Sequence, residues 1–204
     1  METLRSFSGI HSGVPIVIFG CGESLADAQK LRKELISIGI SDVERFVAPT
    51  YLVLCNYRFQ YPDDRLVFID RTAAKYVFTN LKYLDFDIDN VIQVKPGSHA
   101  GMDFGENNCL SYSSTSAYFA LCLAIHMGAN LIGLLGIDFT DRHFSGGDRP
   151  HALSSQLPQI NSEFRALDAV LRRKGVDVYN LSSVSKVTAF RFCSPNDFGS
   201  SASL

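Results

Sequence analysis

Four groups of side chains have the types and spacing to bind or transfer a charged group. The first is Gly20-Cys21-Gly22-Glu23-Ser24-Leu25, directly after an apolar run. Glycines let backbone amides approach an anion closely, and a helix starting there adds its positive end. The pattern is not the full GxGxxG fingerprint, because Ala26 and Asp27 stand where it would continue, and no Gly-Lys-Ser/Thr makes it a Walker loop. A merely tight strand-to-helix turn is the other reading. The second group is Asn56, whose amide donates and accepts and so suits a base or ribose, or else caps a strand end. The third is Ser113-Ser114-Thr115-Ser116. Helix capping needs one of these hydroxyls, which leaves the rest for a phosphate or carboxylate. The fourth is Asp138, Arg142, His143, Arg149 and His151. Its histidines could supply a general base and its arginines an anion clamp, or the whole stretch is a solvated loop. A metal site built from His143 and His151 with Asp138 or Asp141 lacks compact ligand spacing, and none is expected.

Other chemistries find less support. There is no GxSxG elbow for a hydrolase triad. Cys55 and Cys122 lie in apolar runs, where thiols are usually inert. Glu44, Asp63 and Asp64 read as surface charges, and His126 as a structural residue at a helix end. No carboxylates pair convincingly for glycoside hydrolysis.

The elements that must position these groups follow from the pattern. Residues 14–19 form a buried strand closed by Gly20. Ser24 is placed to cap a helix whose apolar side is Leu25, Ala28, Leu31, Leu35 and Ile38, ended by Gly39. Residues 51–55 and 66–69 read as two further strands, ending at Asn56 and Asp70, and 73–84 as a weaker helix. A strand over 91–94 stops at Pro96-Gly97, and 98–112 reads as a long polar loop. Ser114 or Thr115 opens a strong helix that ends at Gly128, followed by a strand over 131–135 that runs on to Asp138. A second polar loop spans 140–150, an amphipathic helix 157–174 and a last strand 176–179. Apolar strands alternating with helices predict an α/β fold, a mostly parallel sheet with helices on both faces. Ligands of such sheets bind at the carboxyl ends of the strands, where Ser24, Asn56, Asp70 and Asp138 gather.

The 204 residues suit one nucleotide-binding domain over 1–194 with a frayed tail over 195–204. The chain is 46% hydrophobic and 20% charged, which is ordinary for a globular protein. A net charge of −2 makes no overall case for nucleic acid as partner. Five scattered cysteines without a CxxC pair suggest reduced core thiols. With no signal-like segment and no membrane span, a cytoplasmic protein is expected. The oligomeric state, homo-oligomer included, stays open.

These pieces together resemble the bacterial CMP-sialyltransferases and the related flagellin-glycosylation and 6-hydroxymethylpterin diphosphokinase-like proteins. The shared motifs are a strand running into a Gly-x-Gly-x-Ser-Leu turn, here Ile18 to Leu25, and a strand ending Cys-Asn, here Val53-Leu54-Cys55-Asn56. Thr115-Ser116-Ala117-Tyr118 and Gly136-Ile137-Asp138-Phe139 match two more, and Arg165-Ala166-Leu167-Asp168 with Val178-Tyr179-Asn180-Leu181-Ser182 match the closing helix and strand. The resemblance covers most of residues 14–190, in order.

It implies a Rossmann-like fold of variant GT-A type and a transferase acting on a nucleotide-activated sugar, CMP-linked, with no required cofactor or metal. It implies that Gly20, Gly22 and Ser24 hold the donor phosphate. Asn56, Asp70 and Asp138 would lie near the nucleotide, and Thr115 and Ser116 near phosphate or the sugar carboxylate. His151, with His143 behind it, would take the proton of the acceptor hydroxyl. The sialyltransferases place tyrosines in the loop after Gly-Ile-Asp-Phe, and none lies between Asp138 and His151, so Arg142 and Arg149 would substitute. Two alternatives remain: a magnesium-dependent pyrophosphokinase of the pterin type using Asp70 and Asp138, and a non-catalytic nucleotide-binding module.

Overall fold

A computed structural model describes residues 2–32, 35–140, 142 and 153–200. The first apolar run forms β1 (Ile16–Phe19). It pairs in parallel with β2 (Ile36–Ile40) on one side and with β8 (Leu131–Leu135) on the other. From β2 the sheet continues through β3 (Tyr51–Val53), β4 (Tyr76–Thr79) and β5 (Val91–Gln93). From β8 it continues through β9 (Asp177–Asn180) and β10 (Arg191–Phe192). All seven pairings of this eight-stranded sheet are parallel. The strand order therefore reverses at β1 and β8, the position where open parallel sheets leave a crevice at their carboxyl edge.

Alternate side chains of the strands feed two cores, one on each face. Ile16, Ile18, Val53, Phe78, Ile132 and Leu134 face α2 (Ser116–His126) and α3 (Leu157–Arg173). Val17, Phe19, Leu52, Val77 and Leu135 face the opposite way, toward Leu25, Ile69 and Phe198. α2 carries no polar face to water: nine of its residues are buried. It ends four residues before β8 begins, at the amino edge of the sheet, so its N-terminus points toward the carboxyl edge.

Several local expectations are corrected. Residues 23–30 form a 3-10 helix rather than the first turns of a long α-helix, and Ile36–Ile40 is a strand. The alternation Ile36-Ser37-Ile38-Gly39-Ile40 has the period of two that a strand requires. Residues 66–69 belong to a helix, α1 (Asp63–Asp70), opened by two acidic residues after Pro62. An apolar run of four cannot separate buried strand from helix by periodicity. Within 73–84 the structure holds β4, whose Tyr-Val-Phe-Thr composition favours a strand. The stretch 98–112 is not simply a loop: β6 (Lys95–His99), which includes Pro96 and Gly97, pairs with β7 (Cys109–Tyr112). Within the stretch 195–204, expected to be a frayed tail, Phe198 is fully buried in the second core, and residues 201–204 lie outside the described residues. Among the described residues no helix is long and apolar enough to cross a membrane.

Candidate functional site

The reversal point brings the glycine turn and the Gly136-Ile137-Asp138 segment together. Gly20 N–H donates to the Leu135 carbonyl at 2.8 Å, and Gly22 N–H to the Gly136 carbonyl at 2.6 Å. Asp138, only 1% exposed, accepts from the Ser24 amide at 2.8 Å through Oδ2 and from the Ser24 hydroxyl at 2.8 Å through Oδ1. The same hydroxyl accepts the Gly136 amide at 2.9 Å. The glycines are there because the two backbones nearly touch. A Cβ on Gly22 would collide with the Asp138 carboxylate, and one on Gly136, at φ +75°, with the Gly20 carbonyl. Gly22, not Ser24, stands at the N-cap position of the 3-10 helix. Ser24 and Asp138 thus build the turn, and both oxygens of Asp138 are used in doing so. Among the described residues no hydrogen bond uses the amides of Cys21 and Glu23, which leaves them for a ligand.

On its other side the turn is tied to β2. The Cys21 thiol donates to the Ile40 carbonyl and to Asp42, each at 3.5 Å, and burial pushes this thiol well above its ordinary range. Asp42 is fully buried and paired with Arg65 through two hydrogen bonds. It stands at the end of β2, twenty positions after Gly22, where dinucleotide-binding sheets place the acid that takes a ribose. Here Arg65 occupies that carboxylate. The spacing from the glycine turn was the available signal for Asp42, and it was missed because 25–38 reads as helix.

β3 supplies the next part of the edge. After it come Leu54, Cys55 and Asn56. Burial pushes the Cys55 thiol up to about 12, against a smaller opposing pull from a hydrogen bond with Ser116. That contact sets the start of α2 beside the end of β3. Thr115 caps α2, its Oγ1 accepting the Tyr118 amide at 3.3 Å, while Ser113 accepts the Thr115 amide at 3.2 Å. The first amides of α2 therefore present the helix's positive end beside Asn56. No hydrogen bond among the described residues uses the Asn56 side chain. With strands about 4.8 Å apart, the end of β3 lies roughly 10 Å from the end of β1.

Asp70 is not at a strand end. It closes α1 and forms a bidentate pair with Arg58 at 2.6 and 2.9 Å. Arg142 reaches the site's margin, with its exposed guanidinium 3.7 Å from Glu23. His143, Arg149 and His151 lie outside the described residues. Among the described residues no cluster of three or more His, Cys, Asp or Glu could hold a metal ion.

The architecture has counterparts among solved structures at low sequence identity. CstII, a sialyltransferase from Campylobacter jejuni solved with a substrate analogue, cytidine-5'-monophosphate, superimposes with TM-score 0.55 at 16% identity, over 93% of this chain and 88% of that one. CST-II solved with a trisaccharide acceptor and CMP gives 0.53 at 15% identity, over 89% and 86%. The MAf glycosyltransferase of Magnetospirillum magneticum AMB-1 gives 0.54 at 12% identity, over 96% of this chain and 38% of that one. This is a glycosyltransferase-like fold. No protein-family model matches the chain, and no curated protein matches it in sequence. Within the glycosyltransferase-like fold, the glycine turn, the Asp138 brace and the start of α2 share the carboxyl edge.

Proposed function

We propose that the protein transfers a sugar from a nucleotide-activated donor, CMP-linked, to a hydroxyl acceptor, without an essential metal. The observation that carries this reading is the Ser24–Asp138 brace. It holds the Gly20–Ser24 turn rigidly at the reversal point of a glycosyltransferase-like sheet, with the Cys21 and Glu23 amides unused. The donor phosphate would meet those amides. The nucleoside would reach along the edge toward Asn56 and the α2 N-terminus, a span suited to one nucleotide. That the neighbours were solved with CMP supports the choice of base. The magnesium-dependent pyrophosphokinase draws less support, because Asp70 and Asp138, the carboxylates it needs, already serve Arg58 and Ser24.

The chemistry is displacement at an anomeric carbon. The bond to the donor phosphate breaks as the acceptor oxygen bonds to that carbon, and the acceptor proton passes to a base. Preorganised amides, with Arg142 and Arg149 nearby in sequence, would neutralise charge growing on the phosphate. His151, with His143 as the second choice, would take the proton.

The test is a thermal-shift series with CMP, UMP, GDP and ATP, followed by an assay of CMP release from a CMP-activated sugar. A specific ligand stabilises by RT ln(1 + [L]/Kd), so CMP should raise the melting temperature most. His151→Ala should abolish turnover and leave the CMP shift intact. Turnover unchanged in that variant would remove His151 as base. Stabilisation by CMP with no turnover in the parent protein would favour the binding module.

A further inference from the structure

The chain leaving β9 folds back against the segment that braces the glycine turn. Leu181 still belongs to the sheet edge, its amide donating to the Leu134 carbonyl at 2.8 Å. Four residues on, the Ser185 hydroxyl donates to the Ile137 carbonyl and the Lys186 amide to the Asp138 carbonyl, each at 2.8 Å. Two asparagines, each 6% exposed, hold the segment from within. Asn180 Nδ2 donates to the Val187 carbonyl at 3.0 Å and Asn161 Nδ2 to the Lys186 carbonyl at 3.1 Å, while Asn161 Oδ1 accepts the Thr188 amide at 2.8 Å. The backbone of Lys186 is therefore fixed through both its amide and its carbonyl, although the residue itself is exposed.

That anchorage sets a cation against Asp138, whose carboxylate meets the Ser24 amide at 2.8 Å. Other cations named at this edge already have a carboxylate: Arg65 has Asp42, Arg58 has Asp70, and Arg142 lies 3.7 Å from Glu23. Lys186 differs. Asp138 is beside it but spends both oxygens on Ser24, and the Lys186 ammonium enters no hydrogen bond or ion pair among the described residues. An unpaired ammonium thus stands next to the brace of a turn whose Cys21 and Glu23 amides are also unused. Both features attract the same kind of ligand, an anion.

We propose that Lys186 is a phosphate-binding residue, its ammonium meeting the anion held by the Cys21 and Glu23 amides. The phosphate is then contacted from both sides of the reversal point, by the turn after β1 and by the segment after β9. Lysine suits this place because it is a compact charge on a flexible four-carbon stem, which meets phosphate as a point charge. The role of Lys186 in transfer rests on the sugar-transfer reading: as the bond to the donor phosphate breaks, the ammonium neutralises charge growing on the departing oxygen, with no proton transferred. The contact with an anion does not depend on that reading.

Isothermal titration calorimetry on the full chain with pyrophosphate, CMP and cytidine tests the contact. Lys186→Gln should weaken pyrophosphate and CMP about tenfold, leave cytidine unchanged, and leave the ligand-free melting temperature unchanged. Lys186→Arg should restore most of the loss. Lys75→Gln, which removes an exposed cation just before β4 at the opposite edge, should change none of the three. Pyrophosphate binding undiminished in Lys186→Gln, or diminished equally in Lys75→Gln, overturns the inference. Lys186-dependent pyrophosphate binding without CMP binding removes the CMP-donor reading and leaves the inference standing. CMP binding that is indifferent to Lys186 does the reverse, and a parent protein that binds neither anion overturns both.

Discussion

Asp138 spends both of its oxygens inside the protein. They serve the Ser24 amide and hydroxyl, so its part in the proposed donor site runs through the shape of the turn. Asp138→Ala strands the buried Ser24 amide and should cost about 3 kcal/mol, since an orphaned buried donor loses its full solvation. Urea denaturation measures this, and CMP stabilisation should vanish with the turn. Asp138→Asn keeps one carbonyl acceptor and should lose less of both. Gly136→Ala adds left-handed strain of about 1–2 kcal/mol to a collision with the Gly20 carbonyl, neither end of which is a flexible side chain. It should therefore destabilise more than that strain alone. A Gly136→Ala protein as stable as the parent would show that the two turns are not in contact.

At the scale of elements, α2 and the C-terminal segment make separable predictions. Thr115→Ala removes the α2 cap and should cost about 1 kcal/mol, read from denaturant midpoints. Because the same hydroxyl orders the start of the helix, CMP affinity should fall in parallel if the nucleotide meets those amides. Phe198→Ala empties a fully buried site and should cost about 3–5 kcal/mol. A loss below 1 kcal/mol would mean that the segment is detached in solution. The misread elements share a physical origin. Residues 66–69 and 73–84 are short apolar stretches whose form is set by what they pack on: α1 covers the second core through Ile69, and β4 completes the row beside β3.

For the molecule as a whole, the buried thiols and phenols set an alkaline limit. Burial pushes Cys55 up to about 12 and raises Cys21, Cys122, Tyr61 and Tyr118 as well. In the unfolded chain these groups release protons near pH 8.5 for thiols and about 10 for phenols. Above those values the unfolded state holds fewer protons than the folded one, so stability falls as pH rises. It is fully present below about pH 8 and is lost progressively toward the folded values. The melting temperature should therefore drop between pH 8 and 10.5, and Cys122, fully buried in α2, should resist iodoacetamide at pH 8 until the protein unfolds. A flat profile, or rapid alkylation of native Cys122, would contradict this burial.

How much was legible depended on whether the deciding interaction was local. Runs such as Ile16-Val17-Ile18-Phe19 and Leu131-Ile132-Gly133-Leu134-Leu135 are apolar at every position, which a strand covered on both faces requires; nearby, the Thr115 hydroxyl caps the start of α2, and Gly128, at φ +92°, follows its end. The parallel α/β class and the carboxyl-edge position of the glycine turn followed from those residues. The tertiary structure decided the rest. Ser24 and Asp138 are 114 positions apart, and neither residue type announces that it will consume the other's hydrogen bonds. Asp70 looks like a ligand carboxylate until Arg58 arrives from the preceding turn to neutralise it, and Asp42, which sequence leaves unmarked, is paired with Arg65 of α1 in the same way. Periodicity reports which face of a segment is buried, but only the assembled sheet determines which polar groups satisfy one another and which are left for a ligand.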